Sequence, residues 1–579
     1  MTPPDRSSRH PQVVPGGTGP RAVIRNPADR VVIAALLLVA ITCQWLVLES
    51  HGRPAVIHNA DAGLVSSFVA GWLHPERFAQ DFVLDEKANY AFYVAVNLVY
   101  VAGLSLLTDD IGTAYLLLYL PLVLFQLVGF YLLGRYILGS RFWSVVLACL
   151  TFPPIWVWGG ELWGTHLLPL TRMTFGGALP LLLLLFLRFG SRSEHLPWLF
   201  GLCGASVYLH PVSAPTVAVG LSLASFARVP DRRSVLPHLG RLALGALVFA
   251  VVVAPFAIVL YLGSAGEDDA PAGAALPAVE EAKAMFAERT GSEYYDAGLA
   301  IRQMIDRMSG RPAVVWLFGL AAFFAVPLLD RRRTRLCLFL GLFLAGIVLG
   351  SAGIAVADQA FAAASGRQPL QLDLIRNLRF VYPVLLVGLV LAGAELHRML
   401  GGWRVVAVGL PVVAVAFTLY WWRVLPNRLT DAIGIGAIPE MYRTYDPEAS
   451  EILAAMKALP AGRGVLPLTG EETGLAVRYA ALQPVVYLEK DGNALFYSGS
   501  PRRVEWAERR RLVTALYASA DRDLAARNLR QVIDRTGAKY VLLQTGHPPA
   551  AVAEAARGAG PVVLERGRWL LIRVASQGG

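Results

Sequence analysis

Apolar runs separated by short clusters of arginine recur along the first 422 residues of the chain. Most come near the roughly 17–25 residues that cross a bilayer as a helix. The pattern predicts a polytopic α-helical membrane protein with about eleven spanning helices over 30–422, followed by a soluble α/β domain over 423–579. Spans are predicted at 31–48, 113–134, 142–158, 176–189, 242–262, 336–353 and 405–422, with two more ending at the basic turns Asp330–Arg335 and His397–Arg404. The run 196–227 is basic on both flanks and so must cross an even number of times. It reads as a hairpin of two short helices around HPVSAP, 210–215, because Pro211 and Pro215 interrupt a continuous helix.

Charge decides which end of each span faces which side. Arg21, Arg25 and Arg30 precede the first span, and alternate turns carry Arg135 with Arg141, Arg188 with Arg192, and Arg228 with Arg232 and Arg233. The positive-inside rule places these turns and the N-terminus in the cytoplasm. The loop 49–112 holds Asp61, Asp81, Asp85, Glu86, Asp109 and Asp110 with few bases, and belongs outside with the loops 159–175, 263–312 and 354–378. Within it, 88–107 is apolar enough to span, but spanning would invert the charge pattern. That segment is predicted on the outer surface or partly re-entrant. The Pro-, Gly- and Arg-rich stretch 1–29 is predicted to be disordered. The expected location is the inner (plasma) membrane, multi-pass, with the C-terminal domain extracytoplasmic.

Beyond Arg423 the periodicity changes. Helical spacing appears at 447–460, in Ile452, Leu453, Met456 and Leu459, and helices are predicted at 503–517 and 521–536. Strand-like runs are VLPL 465–468, PVVYL 484–488, YVLLQ 540–544, PVVLE 561–565 and WLLIRV 569–574. Strands alternating with helices indicate a small α/β unit.

Composition narrows the function classes. Only 16% of the 579 residues are charged, against about a quarter in soluble domains. The net charge of +10 comes from arginines scattered between apolar runs, so no nucleic-acid partner is expected. Cys43, Cys149, Cys203 and Cys337 all lie inside apolar runs, which gives neither a disulfide framework nor a zinc site. No P-loop, strand-linked GxGxxG, HExxH, GxSxG or CxxC pair occurs.

Candidate chemistry gathers in the outer loops. Asp61 lies shortly after the first span in HNADAGLVSSF, beside an apolar run. A carboxylate there could serve as a general base through partial desolvation, or simply cap a helix over 62–73. Asp81 is an equivalent candidate, whereas Asp85, Glu86 and Lys87 read as a solvated face, as do Arg509, Arg510 and Arg511. In the second outer loop Arg172 suits phosphate clamping, because guanidinium binds oxygens bidentately and stays charged. Glu161 and His166 read as interface anchors. His210, at the hairpin tip, is an ionisable group at membrane depth and so a candidate for substrate or phosphate binding, or its HP dipeptide merely stops a helix. Arg376 and Arg379, three apart, could hold a lipid phosphate or pyrophosphate, or ordinary headgroups.

This layout resembles the GT-C superfamily of integral-membrane glycosyltransferases. Asp61 and Asp81 match its acidic first outer loop, 88–107 its surface helices, and 159–175 its second functional loop, over roughly residues 25–260. The stretches VRYAALQPVVYLEKDG and EWAERRRLV are similar to the tails of bacterial members. The resemblance implies a polyprenyl-phosphate sugar donor, an extracytoplasmic glycan, lipid or protein acceptor, and Asp61 or Asp81 as base. It also implies Arg172 with Arg376 or Arg379 on the leaving phosphate. The only Trp pair, Trp421–Trp422, ends a span and is no WWDYG-type motif, which disfavours protein N-glycosylation. No paired-acid motif marks a metal, so a divalent ion stays an open alternative to no cofactor. A lipid-linked saccharide flippase and a non-catalytic scaffold are the competing classes.

Overall fold

The computed structural model describes residues 20–49, 51–87, 89–90, 96–152, 155–157, 160–164, 171–229, 231–264, 276–290, 296–309, 313–365, 374–400, 446–460, 462–498 and 500–575. The span expected at 405–422 lies outside these, as do His166 and residues 1–19.

The helical part begins with α1 (Pro27–Glu49), α2 (Ala60–Leu73), α3 (Val96–Thr108), α4 (Ile111–Leu138) and α5 (Arg141–Thr151). A hairpin of β1 (Ile155–Val157) and β2 (Gly160–Trp163) leads to α6 (Thr171–Phe189), α7 (Leu196–Ala205), α8 (Ser213–Ser225) and α9 (Val235–Ser264). Then come α10 (Leu276–Thr290), α11 (Ala297–Ser309), α12 (Ala313–Leu329) and α13 (Thr334–Val348). A π turn at Leu349–Gly353 carries α13 directly into α14 (Ile354–Ser365), and a 3-10 helix, Leu374–Phe380, precedes α15 (Val381–Met399).

Six helices among the described residues are long and apolar enough to cross a membrane: α1, α4, α6, α9, the α13–α14 rod and α15. Large apolar side chains on the shorter α12 also face outward, with Leu317 70%, Phe324 76% and Leu328 85% exposed. Such a belt needs lipid to cover it. The chain is therefore a multi-pass helical membrane protein, with six candidate spans among the described residues where hydropathy indicates about eleven over the chain.

The difference has local causes. The predicted span 142–158 stops at Thr151, ahead of Pro153 and Pro154, and turns into the β1–β2 hairpin. Helices α7 and α8 have 10 and 13 residues, about 15–20 Å at 1.5 Å per residue, against a hydrocarbon core of about 30 Å. The segment expected as loop 354–378 is helical to Ser365. There the π turn frees the Gly350 carbonyl, which takes the Thr216 hydroxyl at 3.3 Å. Helices α8 and α13 cross at glycine, since a Cβ on Gly346 would stand 2.5 Å from Gly220 Cα.

The N-terminal stretch read as disordered is helical from Pro20. Asp29, in the first turn of α1, is fully buried and accepts from Arg135 Nε at 3.0 Å, Arg141 Nε at 3.1 Å and the Tyr131 hydroxyl at 2.5 Å. Arg333 Nε meets Glu395 at 2.9 Å and its NH1 donates to the Ile137 carbonyl at 2.6 Å. Arginines that look like topology markers thus also brace this end of the bundle. Asp61 follows the other end of α1.

The C-terminal part contains α16 (Pro447–Lys457), β3 (Val465–Leu468), α17 (Glu471–Tyr479), α18 (Asp491–Tyr497), α19 (Arg503–Tyr517) and α20 (Arg522–Thr536). It ends with β4 (Tyr540–Gln544), α21 (Ala550–Arg557), β5 (Val562–Arg566) and β6 (Trp569–Arg573). The strand order is β3-β4-β6-β5, with β3 parallel to β4 and the other pairs antiparallel. The predicted strand 484–488 makes only a single bridge, Val465 to Val485. Its far edge is taken by the loop after α2: Val485 N–H donates to Asp81 Oδ2 at 2.8 Å, and Phe82 N–H to the Val485 carbonyl at 3.3 Å.

Candidate functional site

The joint between the helical part and the C-terminal domain is where the sequence-selected residues sort themselves. Asn59 starts α2: its Oδ1 accepts from the N–H groups of Asp61 at 3.0 Å and Ala62 at 3.1 Å. The capping role that Asp61 might have filled is therefore taken by its neighbour. Asn59→Ala is expected to cost about 1 kcal/mol of stability, measured as a modest fall in melting temperature.

The carboxylate of Asp61 points into a group of cations. Lys490 Nζ lies 2.5 Å from Oδ1, and Arg172 NH1 3.8 Å from Oδ2. The Asp61 side chain is 53% exposed, yet desolvation is the largest single influence on its protonation. Both hold for a group lining a recess, reached by water but surrounded by protein. Desolvation alone would raise its pKa; Lys490, Arg172 and Arg376 together outweigh it and hold the carboxyl below its ordinary value.

The 3-10 helix supplies one of these cations, Arg376, and carries a second arginine, Arg379. With three residues per turn, Arg376 and Arg379 stack on one face. They are also its only partly exposed residues, the other five being buried. Asn377, between them, anchors the turn: its Nδ2 donates to the Val212 carbonyl at 2.8 Å and to Thr216 Oγ1 at 3.0 Å. It also accepts the Ser213 hydroxyl at 3.1 Å, and Ser213 Oγ contacts His210 Nδ1 at 2.8 Å. The charges of Arg379, Arg172 and Asp61 all act on His210. One locality thus collects Asp61, Arg172, Arg376, Arg379 and His210, with Lys490 added from the C-terminal domain.

Asp81 is placed elsewhere. It is fully buried and accepts Arg478 Nε at 2.8 Å, the N–H groups of Val83 and Leu84 at 2.9 Å each, and that of Val485. Arg478 in turn forms a bidentate pair with buried Asp491, at 2.6 and 3.0 Å. Asp81 is thus held in a fully buried brace, away from the cations around Asp61. Asp85 and Glu86, read as a solvated face, engage the same domain: Asp85 pairs with Arg502 at 2.6 Å and Glu86 accepts the Ser500 hydroxyl at 2.9 Å. Arg509 likewise lies 3.9 Å over the Phe82 ring, and Arg511 meets Glu281 of α10 at 2.5 Å.

Sequence reasoning missed Lys490, Ser213 and Asn377. Lys490 lies in the stretch VRYAALQPVVYLEKDG, but nothing there pairs it with Asp61, 429 residues away. Ser213 lies inside the HPVSAP tip, whose polar residues were a usable signal. The donor set around Asp61 suits an anion. A divalent ion would meet one carboxylate and several fixed cations there, and no trio of His, Cys, Asp or Glu converges as a metal site among the described residues. No protein-family model matches the chain, and comparison with curated proteins gives no match.

Proposed function

We propose that the protein is a membrane glycosyltransferase of the GT-C type, moving a sugar from a polyprenyl-phosphate donor to a hydroxyl-bearing acceptor. In this reading the site faces the extracytoplasmic side of the plasma membrane and the Arg135, Arg228 and Arg333 turns face the cytoplasm, following the positive-inside rule. The observation that carries it is one carboxylate not used as a helix cap, Asp61, framed by Lys490 and by Arg172 and Arg376 at the ends of two candidate spans.

The charge balance supports that chemistry. A glycosyl phosphodiester carries one negative charge and ionised Asp61 another. Asp61 takes the acceptor's proton, the acceptor oxygen bonds to the anomeric carbon, and the bond from that carbon to the phosphate oxygen breaks. Both negative charges then reside on the released polyprenyl phosphate. Arginines aimed at the phosphate therefore gain attraction as the reaction proceeds, which is how an electrostatic site lowers a barrier.

The test uses the full chain in proteoliposomes with undecaprenyl phosphate carrying a radiolabelled sugar, supplied with envelope extract as acceptor. Label should leave the prenyl lipid in step with release of undecaprenyl phosphate. Arg172→Ala and Arg376→Ala should each cost about tenfold or more in kcat/KM, since a charge-assisted contact is worth about 1.5–3 kcal/mol. Label that crosses the bilayer while still attached to prenyl phosphate would instead identify a flippase.

A further inference from the structure

The bonds around Asn377 determine which nitrogen of His210 carries the proton. Asn377 Nδ2 faces the Val212 carbonyl at 2.8 Å, which can only accept, so the amide cannot be flipped. Its Oδ1 must accept, and it receives the single hydroxyl proton of Ser213 at 3.1 Å. With that proton committed, Ser213 Oγ offers His210 only a lone pair, at 2.8 Å from Nδ1. Nδ1 is therefore the donor. In the neutral ring Nε2 is then a bare acceptor, and no described residue bonds to it.

We propose that Ser213 and Asn377 lock His210 as the Nδ1–H tautomer so that Nε2 accepts a hydroxyl of the donor's sugar, while the neighbouring arginines hold its phosphate. This rests on the glycosyltransferase reading and adds a division of labour to it. Burial first, and then Arg379 and Arg172, disfavour a protonated ring, with Asp61 acting in the opposite direction. A neutral imidazole with an unshared lone pair complements a hydroxyl, whereas a phosphate oxygen would be repelled by it. The turn 206–212 between α7 and α8 and the 3-10 helix thus act together: Asn377 fixes the acceptor, and its neighbours Arg376 and Arg379 supply the charge.

Nitrogen-15 NMR of the histidine-labelled full chain reads the tautomer directly, with the His210 signal assigned from its loss in His210→Gln. At neutral pH Nδ1 should be protonated and Nε2 bare. In Asn377→Leu the Ser213 hydroxyl is released to donate, and the signal should move toward the Nε2–H form. Ser213→Ala, which removes both bonds, should give a tautomer mixture and controls for misfolding. A parent spectrum showing Nε2–H or an imidazolium overturns the lock. Glucose 1-phosphate should shift His210 Nε2 and methyl phosphate should not, and His210→Phe should erase a preference for the sugar phosphate of about tenfold, the worth of one hydrogen bond. Equal binding of both probes, with His210 unmoved, overturns the hydroxyl role. Failure of both to bind counts against the phosphate site, and so against the glycosyltransferase reading itself.

Discussion

Asp61→Asn should lower sugar transfer by about 10²–10⁴-fold, the usual contribution of a positioned base, with the melting temperature almost unchanged. Stability is spared because Asp61 is half exposed, and such ion pairs contribute about 0–1 kcal/mol. The pH dependence gives a sharper test. Desolvation pushes the Asp61 pKa up, but Lys490 and then Arg172 and Arg376 hold it below its ordinary value in the free protein. A base with a depressed pKa is active above that pKa and inactive below it. The acid limb of kcat/KM should therefore lie below the ordinary carboxylate range. Lys490→Met removes the largest lowering influence and should move that limb to higher pH. Binding of a donor phosphate to Arg172 and Arg376 offsets their field as well, so the limb of kcat, which reports the complex, should sit at higher pH than that of kcat/KM. Coincident limbs, unmoved by Lys490→Met, would mean that another group sets the acid side.

What could be read from the chain follows from how local each signal is. Asp61 stood out because the acids concentrate in one loop, and Arg376 and Arg379 because their spacing survives the change from an α-helix to a 3-10 turn. Hydropathy registers apolarity but not depth, so α7 and α8 resemble spans although each is too short. The region 263–312 looked like a loop because its helices are polar. Yet α10 carries Val279, Ala282 and Phe286 at helical spacing, and Phe286 stacks on Phe496 at 4.3 Å. Least legible were the partners contributed by the C-terminal domain. Asp61 and Asp81 look alike in sequence; what separates them is Lys490 at one and Arg478 at the other.

That separation sets the second large effect. Arg478→Met should destabilise the protein by about 3–5 kcal/mol, because it leaves buried charge without its counter-ion. Both Asp81 and Asp491 are fully buried on either side of it, and burial already pushes the Asp491 carboxyl above its ordinary value. The loss should be visible as a large drop in melting temperature in detergent, since the brace that ties the post-α2 loop to the domain is gone. Asp81→Asn should be milder: the amide oxygen can still accept the N–H groups of Val83 and Leu84, and Arg478 keeps its bidentate bond to Asp491. Its rate per folded molecule should stay within about tenfold of the parent, well short of the loss expected for a base. The two asparagine variants should thus fail in opposite ways, Asp61→Asn folded and inactive, Asp81→Asn active and less stable. If Asp81→Asn instead melted like the parent and lost about 10²-fold or more in rate, the base would be Asp81, and the buried brace would have to open during turnover.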